Sequence, residues 1–218
     1  MRIIAGTYRS RTLEAPFGLA TRPTSDRLRE TLFNVLAPRI RDAAFLDLYA
    51  GSGAVGIEAL SRGAASVVFV EHAPAALSVL RANLAKLGIA GGYRIHSSAV
   101  GAFLRGLKPG KRGETANNPK KKTPSQNSSE ILQNLAVFDL IFLDPPYDAA
   151  EEYASTLGLL GTVGVLAPGA LVIAEHRRKE KLGERYGCLE RTRLLEQGDA
   201  ALSFYAAIAA IDPEPNPE

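Results

Sequence analysis

Apolar residues follow two rhythms along this chain. Leu28, Leu32, Val35 and Leu36 recur at helical spacing, with Phe33 beside them, and predict an amphipathic helix. Thr24 or Ser25 can cap its start, acidic residues follow in its first turn, and Pro38 ends it. From Phe45 onward the pattern changes to short, nearly continuous apolar runs. Phe45 to Tyr49, Ser66 to Val70, Phe138 to Leu143 and Ala170 to Ala174 read as buried parallel strands, with a weaker strand at Tyr93 to Ser97. Ala54 to Arg62 reads as a helix closed by Gly63. A second helix opens on Pro74 and closes at Gly88, and Glu151 to Leu160 forms a third.

Leu189 to Glu196 and Ala201 to Ile208 predict a terminal antiparallel pair, and the alternating stretch Arg2 to Leu13 predicts a short β-hairpin or extended arm. Strand and helix alternate about five times before two strands close the sheet. The expected fold is α/β, a doubly wound, mostly parallel seven-stranded sheet of Rossmann-like type, with an N-terminal hairpin and helix extension. The expected organisation is a basic arm and helix over residues 1–41, a main domain over 42–210, and a flexible tail over 211–218. Residues 105–130 carry Lys, Pro, Asn, Ser and Gly with almost nothing apolar, which predicts a disordered insertion.

Charge changes the picture more than composition does. The net charge is only +3, yet residues 1–41 sum to +5, residues 105–122 to +6 and the remainder to −8. An acidic body with two basic appendages suits a polyanionic partner, although a solvated basic surface gives the same pattern. A single cysteine, Cys188, excludes a disulfide framework, and three scattered histidines, His72, His96 and His176, lack ligand spacing, so no metal is expected. The basic start has no apolar run behind it. The uncharged stretch Thr156 to Ala174 contains four glycines and Pro168, and reads as helix, turn and strand rather than a membrane span. A cytoplasmic protein is expected.

Three segments carry candidate chemistry. Asp47-Leu48-Tyr49-Ala50-Gly51-Ser52-Gly53 leaves the first parallel strand, where ligands of such sheets bind, and its glycines admit close backbone approach. A plain βα turn also contains glycine, and the third glycine of the dinucleotide pattern is only partly mimicked by Gly56. Glu71 ends the second strand, placed to accept hydrogen bonds from both ribose hydroxyls of a nucleoside and to repel a 2′-phosphate. These two segments leave NAD and S-adenosylmethionine equally open. Asp144-Pro145-Pro146-Tyr147 ends the fourth strand. The lone pair of an exocyclic base amine is delocalised into its ring, and two acceptors on its hydrogens localise it towards a methyl donor. Asp144 and the Pro145 carbonyl can supply those acceptors, two prolines hold them in place, and Tyr147 can stack on an extruded base.

The Asp47–Gly53 turn, Glu71 and the Asp144–Tyr147 loop resemble a class I S-adenosylmethionine methyltransferase of the amino-methylating group. Met1-Arg2-Ile3-Ile4-Ala5-Gly6, Arg9, Arg22-Pro23-Thr24 and Arg29-Glu30-Thr31-Leu32-Phe33-Asn34-Val35-Leu36 further resemble the bacterial small-subunit (16S) ribosomal RNA guanine-N2 methyltransferase family. The resemblance covers about residues 1–104 and 135–208. It implies that Asp47, Tyr49, Ala50, Gly51, Ser52 and Gly53 border S-adenosylmethionine. It also implies that Glu71 holds the ribose and that Asp144, Pro145, Pro146 and Tyr147 hold the guanine amine. Arg2, Arg9, Arg11, Arg22 and Arg27 would contact RNA phosphates. The pattern departs at the end of the third strand, where Ser98 and Ala99 replace the acidic residue that many relatives aim at adenine. The implied partner is ribosomal RNA, bare or within an assembled subunit, and nothing demands an oligomer. Two other readings are a DNA or RNA adenine-N6 methyltransferase and a non-catalytic RNA-binding module. The first usually needs a separate base-reading domain, for which this chain has no room. The second would need neither the glycine turn nor Asp144.

Overall fold

The computed structural model describes residues 1–15, 25–107, 137–146 and 150–208. Among these residues helix and strand alternate up to Arg177, after which three further strands follow: α1 (Asp26–Leu36), β1 (Ala44–Leu48), α2 (Ala54–Ser61), β2 (Ser66–Glu71), α3 (Pro74–Lys86), β3 (Tyr93–Ser97), α4 (Val100–Gly106), β4 (Phe138–Leu143), α5 (Ala150–Leu160), β5 (Leu166–Arg177), β6 (Arg185–Tyr186), β7 (Leu189–Gln197) and β8 (Ala200–Ala207). The strands form one sheet in the order β3-β2-β1-β4-β5-β8-β7-β6. β1 to β5 run parallel, and β8, β7 and β6 follow antiparallel. The expected seven strands become eight because the two-residue β6 pairs with β7, and it is too short to leave an alternating pattern in the sequence.

Alternation along each strand sorts side chains to the two faces. Phe45, Val67, Phe69, Leu140 and Phe142 pack with α1, α2 and α3. Leu46, Leu48, Val68, Val70, Ile141 and Leu143 pack with α4 and α5. A cap fixes the start of α1: the Ser25 hydroxyl accepts from Leu28 N at 3.1 Å. Thr156 to Ala174 resolves into the end of α5, a turn and β5, and no helix among the described residues is long and apolar enough to cross a membrane.

The N-terminal arm folds back on itself as the expected short hairpin, and it docks on the body. Arg2 and Thr12 form an antiparallel bridge, flanked by bonds from Ile3 N to Arg11 O at 2.9 Å, Ser10 N to Ile3 O at 2.9 Å and Leu13 N to Met1 O at 3.0 Å. Ile3 and Leu13 are buried in the same core as Phe33, Phe45 and Ile57. The Glu58 carboxylate accepts from Ile4 N at 2.7 Å and Ala5 N at 3.0 Å. Ser61 receives Thr7 N on its carbonyl at 2.8 Å and Tyr8 N on its hydroxyl at 3.0 Å. Gly6 makes this approach possible: at φ +83, a Cβ there would lie 1.8 Å from the Ser61 carbonyl oxygen. The basic insertion, apart from its first residues at the end of α4, and the tail from residue 209 lie outside the described residues.

Candidate active site

The strand order reverses between β1 and β4, because the chain winds outward through β2 and β3 before returning to β4. Such a switch point opens a crevice at the carboxyl ends of the strands. Leu48 is in register with Leu143, so the glycine turn and the Asp144 loop leave neighbouring strands at the same level. Leu143 is in turn in register with Ala174, which sets Glu175 beside Asp144. Asp47, Glu71, Asp144 and Glu175 thus gather at one edge of the sheet.

The turn after β1 is held from below. Asp47 is buried and its Oδ2 accepts from Gly56 N at 2.9 Å, tying the strand end to the first turn of α2. Tyr49, Gly51 and Gly53 adopt left-handed backbone at φ 61, 55 and 79. A Cβ at Gly53 would lie 2.2 Å from Leu80 Cδ1, and one at Gly56 would lie 2.3 Å from Phe69 Cε1. Gly56 therefore supplies the close helix–strand packing that the third glycine of a dinucleotide turn provides. Asn83 is fully buried under the turn: its Nδ2 donates to Ser52 O at 3.0 Å and to Glu14 O at 3.1 Å, and its Oδ1 accepts from Glu14 N at 2.8 Å.

Glu71 braces the same turn from β2. Its Oε2 accepts from Gly51 N at 2.9 Å, and its Oε1 accepts from His72 N and Ala73 N, both at 2.7 Å. A carboxylate offers about four lone-pair sites, so acceptor capacity remains on Glu71 beyond these three backbone bonds. Ser98 N donates to Glu71 O at 3.1 Å, and Ala99 opens α4. Both therefore stand at the same edge, as the sequence placed them. Tyr49 behaves differently. Its hydroxyl bonds Glu152 at 2.6 Å and Thr156 at 2.7 Å, so its side chain anchors α5. Burial and the Glu152 bond push that hydroxyl up from its usual range.

Burial raises Asp47 to about 7, against the lowering bond from Gly56 and with a further push from the charge of Glu71. Burial also raises Asp144 well above the ordinary carboxylate range, helped by the charges of Glu175 and Asp47. Among the described residues no hydrogen-bond donor reaches the Asp144 carboxylate, whereas Glu71 accepts three backbone bonds and Asp47 one. A cation between these groups relieves their mutual repulsion, so the site favours a positively charged occupant. The left-handed glycine turn, the spare acceptor on Glu71 and this acidic edge fit a nucleoside that carries a sulfonium.

Pro145 is buried and Pro146 exposed after Asp144, while Tyr147 and Arg22 lie outside the described residues. Arg2, Arg9, Arg11 and Arg27 are exposed, and Arg2 lies 3.5 Å from Asp26. Not all of the basic N-terminal segment faces solvent. Arg29 is fully buried, bonded to Asp26 at 2.9 Å and 3.9 Å from the buried carboxylate of Glu58. Arg39 donates to Gly169 O at 2.8 Å. The Arg29–Glu58 pair and Asn83 escaped sequence reasoning, since each is defined by partners 27 or more residues away.

The chain matches the family model described as conserved hypothetical protein 95 over residues 1–115 and 111–206. It is 40% identical over 177 residues to ribosomal RNA small subunit methyltransferase D of Escherichia coli strain K12, covering 80% of this chain and 74% of that protein. It is 35% identical over 187 residues to the protein of the same description from Haemophilus influenzae, covering 84% and 81%. Among solved structures, yhhF of Escherichia coli superposes with a TM-score of 0.74 at 34% identity, over 95% of this chain and 97% of that chain.

Proposed function

This chain belongs to the conserved hypothetical protein 95 family, and from that membership and the geometry of its crevice we propose that it methylates small-subunit ribosomal RNA, using S-adenosylmethionine and taking the exocyclic N2 amine of a guanine as acceptor. The observation that carries this reading is the Asp144 carboxylate, which no donor reaches among the described residues, at the switch point and level with the glycine turn. Its relatives in Escherichia coli and Haemophilus influenzae are described as ribosomal RNA small subunit methyltransferases, which supports the substrate class.

Asp47 and Asn83 fix the turn on which the donor's methionine part would rest, and Glu71 would hold the ribose. Bound there, S-adenosylmethionine supplies an electrophilic methyl group on a sulfonium. Asp144 Oδ and the Pro145 carbonyl would accept the two hydrogens of the guanine amine, turning its lone pair towards the methyl carbon. Their rigidity does the work: Pro145 and Pro146 lock φ, so the acceptors are positioned before RNA arrives. Methylation makes the amine more acidic, and Asp144, its affinity for protons raised by burial and neighbouring charge, takes up the proton released. The exposed Arg9, Arg11 and Arg27 would meet backbone phosphates on the way in.

The test uses tritiated S-adenosylmethionine with 16S RNA, bare or in 30S subunits, prepared from cells that lack this protein. N2-methylguanosine in the nucleoside digest is the expected product. Label recovered as N6-methyladenosine, or only on DNA, overturns the assignment.

A further inference from the structure

A second basic surface lies beside the Asp144 loop. β5 ends in Arg177-Arg178-Lys179-Glu180-Lys181, four cations in five residues, all four exposed. This run forms one wall of an open cleft of about 890 Å³, whose other walls are the β7–β8 turn from Glu196 to Ala200 and the start of α1 at Ser25 and Leu28. Glu175 and His176 form its floor, and Glu175 neighbours Asp144. The cleft therefore opens next to the place where the target amine is held.

The cationic wall is held in shape. Arg178 N donates to Asp199 O at 2.8 Å and Glu180 N to Arg177 O at 2.9 Å. The buried His176 ring contacts Arg177 O and the Ser203 hydroxyl, each at 2.9 Å. Of the cleft's carboxylates, Glu196 pairs with Arg178 at 3.2 Å and Glu175 is buried. Lys179 and Lys181 enter no ion pair among the described residues, so their ammonium groups remain available to a ligand.

We infer that this cleft binds the phosphodiester backbone of the RNA strand flanking the target guanine, with Lys179 and Lys181 as phosphate contacts. The inference rests on the proposed methyl transfer to RNA. A nucleotide swung out of its stack leaves flanking phosphates that must be gripped on both sides, and the N-terminal arginines alone supply one basic surface. Phosphate contacts of this kind set register and affinity and carry no base specificity.

The experiment compares the full-length wild type with Lys179→Gln, Lys181→Gln, the double variant and a control, Arg94→Gln, on the exposed far edge strand β3. Methyl transfer to 16S RNA is measured against RNA concentration at several salt concentrations, and S-adenosylmethionine affinity by calorimetry. In the double variant KM for RNA rises about tenfold, the log–log salt slope falls by roughly 0.7 per cation removed, and kcat and cofactor affinity stay at wild-type values. Unchanged KM and slope in the double variant overturn the cleft assignment while leaving the transferase reading intact. So does an equal effect from Arg94→Gln, which would mark a general loss of charge. No transfer to RNA by the wild type overturns the transferase reading itself.

Discussion

The buried amide of Asn83 donates to the carbonyl of Ser52 at 3.0 Å. One residue of α3 thus supports the glycine turn from below while its remaining bonds clasp Glu14 at the end of the N-terminal arm. The arm and the cofactor turn are therefore coupled through a single side chain. Asn83→Leu keeps most of the volume but strands Ser52 O and both backbone groups of Glu14. Ser52 O is buried, and a buried polar group left unsatisfied costs about 1–3 kcal/mol, while the exposed Glu14 can turn its freed groups to water. Denaturant unfolding should therefore show a loss of roughly 1–3 kcal/mol. The variant should also bind S-adenosylmethionine several-fold more weakly by calorimetry.

Gly6 carries the docking of the arm. A methyl group there would overlap the Ser61 carbonyl oxygen, and φ +83 is strained for any L side chain. Gly6→Ala should therefore detach Thr7 and Tyr8 from Ser61 and cost about 2 kcal/mol or more. The readout is limited trypsinolysis: cleavage at Arg9 and Arg11 accelerates in the variant, while the sheet domain stays intact.

Much of this architecture is legible in the sequence because it is local. Pro74 at the first turn of α3, Gly88 after it, and the apolar runs of β1, β2 and β4 appear where their patterns place them. Glu71 and Asp144 are recognisable because a strand end followed by a turn is itself a sequence signal. What stays hidden is the long-range pairing of polar groups. Glu58 looks like any helix glutamate until Ile4 N, Ala5 N and Arg62 converge on it. Tyr49 sits in the cofactor motif, yet its hydroxyl reaches α5 more than 100 residues away. The seven-residue α4 and two-residue β6 are too short to show a period.

Asp47 ties stability to pH. Its carboxyl is raised from 3.8 in the unfolded chain to about 7 in the fold, chiefly by burial. Between those values the native state binds more protons than the unfolded state, so stability falls as pH rises through that window and stays low above it. The full shift sets an upper bound of roughly 4 kcal/mol, and Asp144, raised for the same reason, adds in the same direction. Asp47→Asn can keep the acceptor for Gly56 N without the ionisation. Its unfolding free energy should therefore change less than that of the wild type between about pH 5 and 8, as measured by urea titration at each pH.

Asp144 is where the proposed chemistry is most exposed to experiment. As one of two acceptors on the guanine amine, it acts in the transition state more than in cofactor binding. Asp144→Ala should therefore lower single-turnover methyl transfer by about 10²–10³-fold while S-adenosylmethionine affinity changes little. Asp144→Asn separates acceptor from proton carrier, since its amide oxygen can accept but the side chain takes up no proton. In the wild type, transfer should rise with pH as Asp144 ionises. Because burial and the charges of Glu175 and Asp47 hold that ionisation above the ordinary carboxylate range, the rise should fall nearer neutrality than a surface aspartate would give. Asp144→Asn should be slower and flat with pH over the same range. A wild-type profile as flat as that of the asparagine variant would remove this carboxylate from the path of the proton.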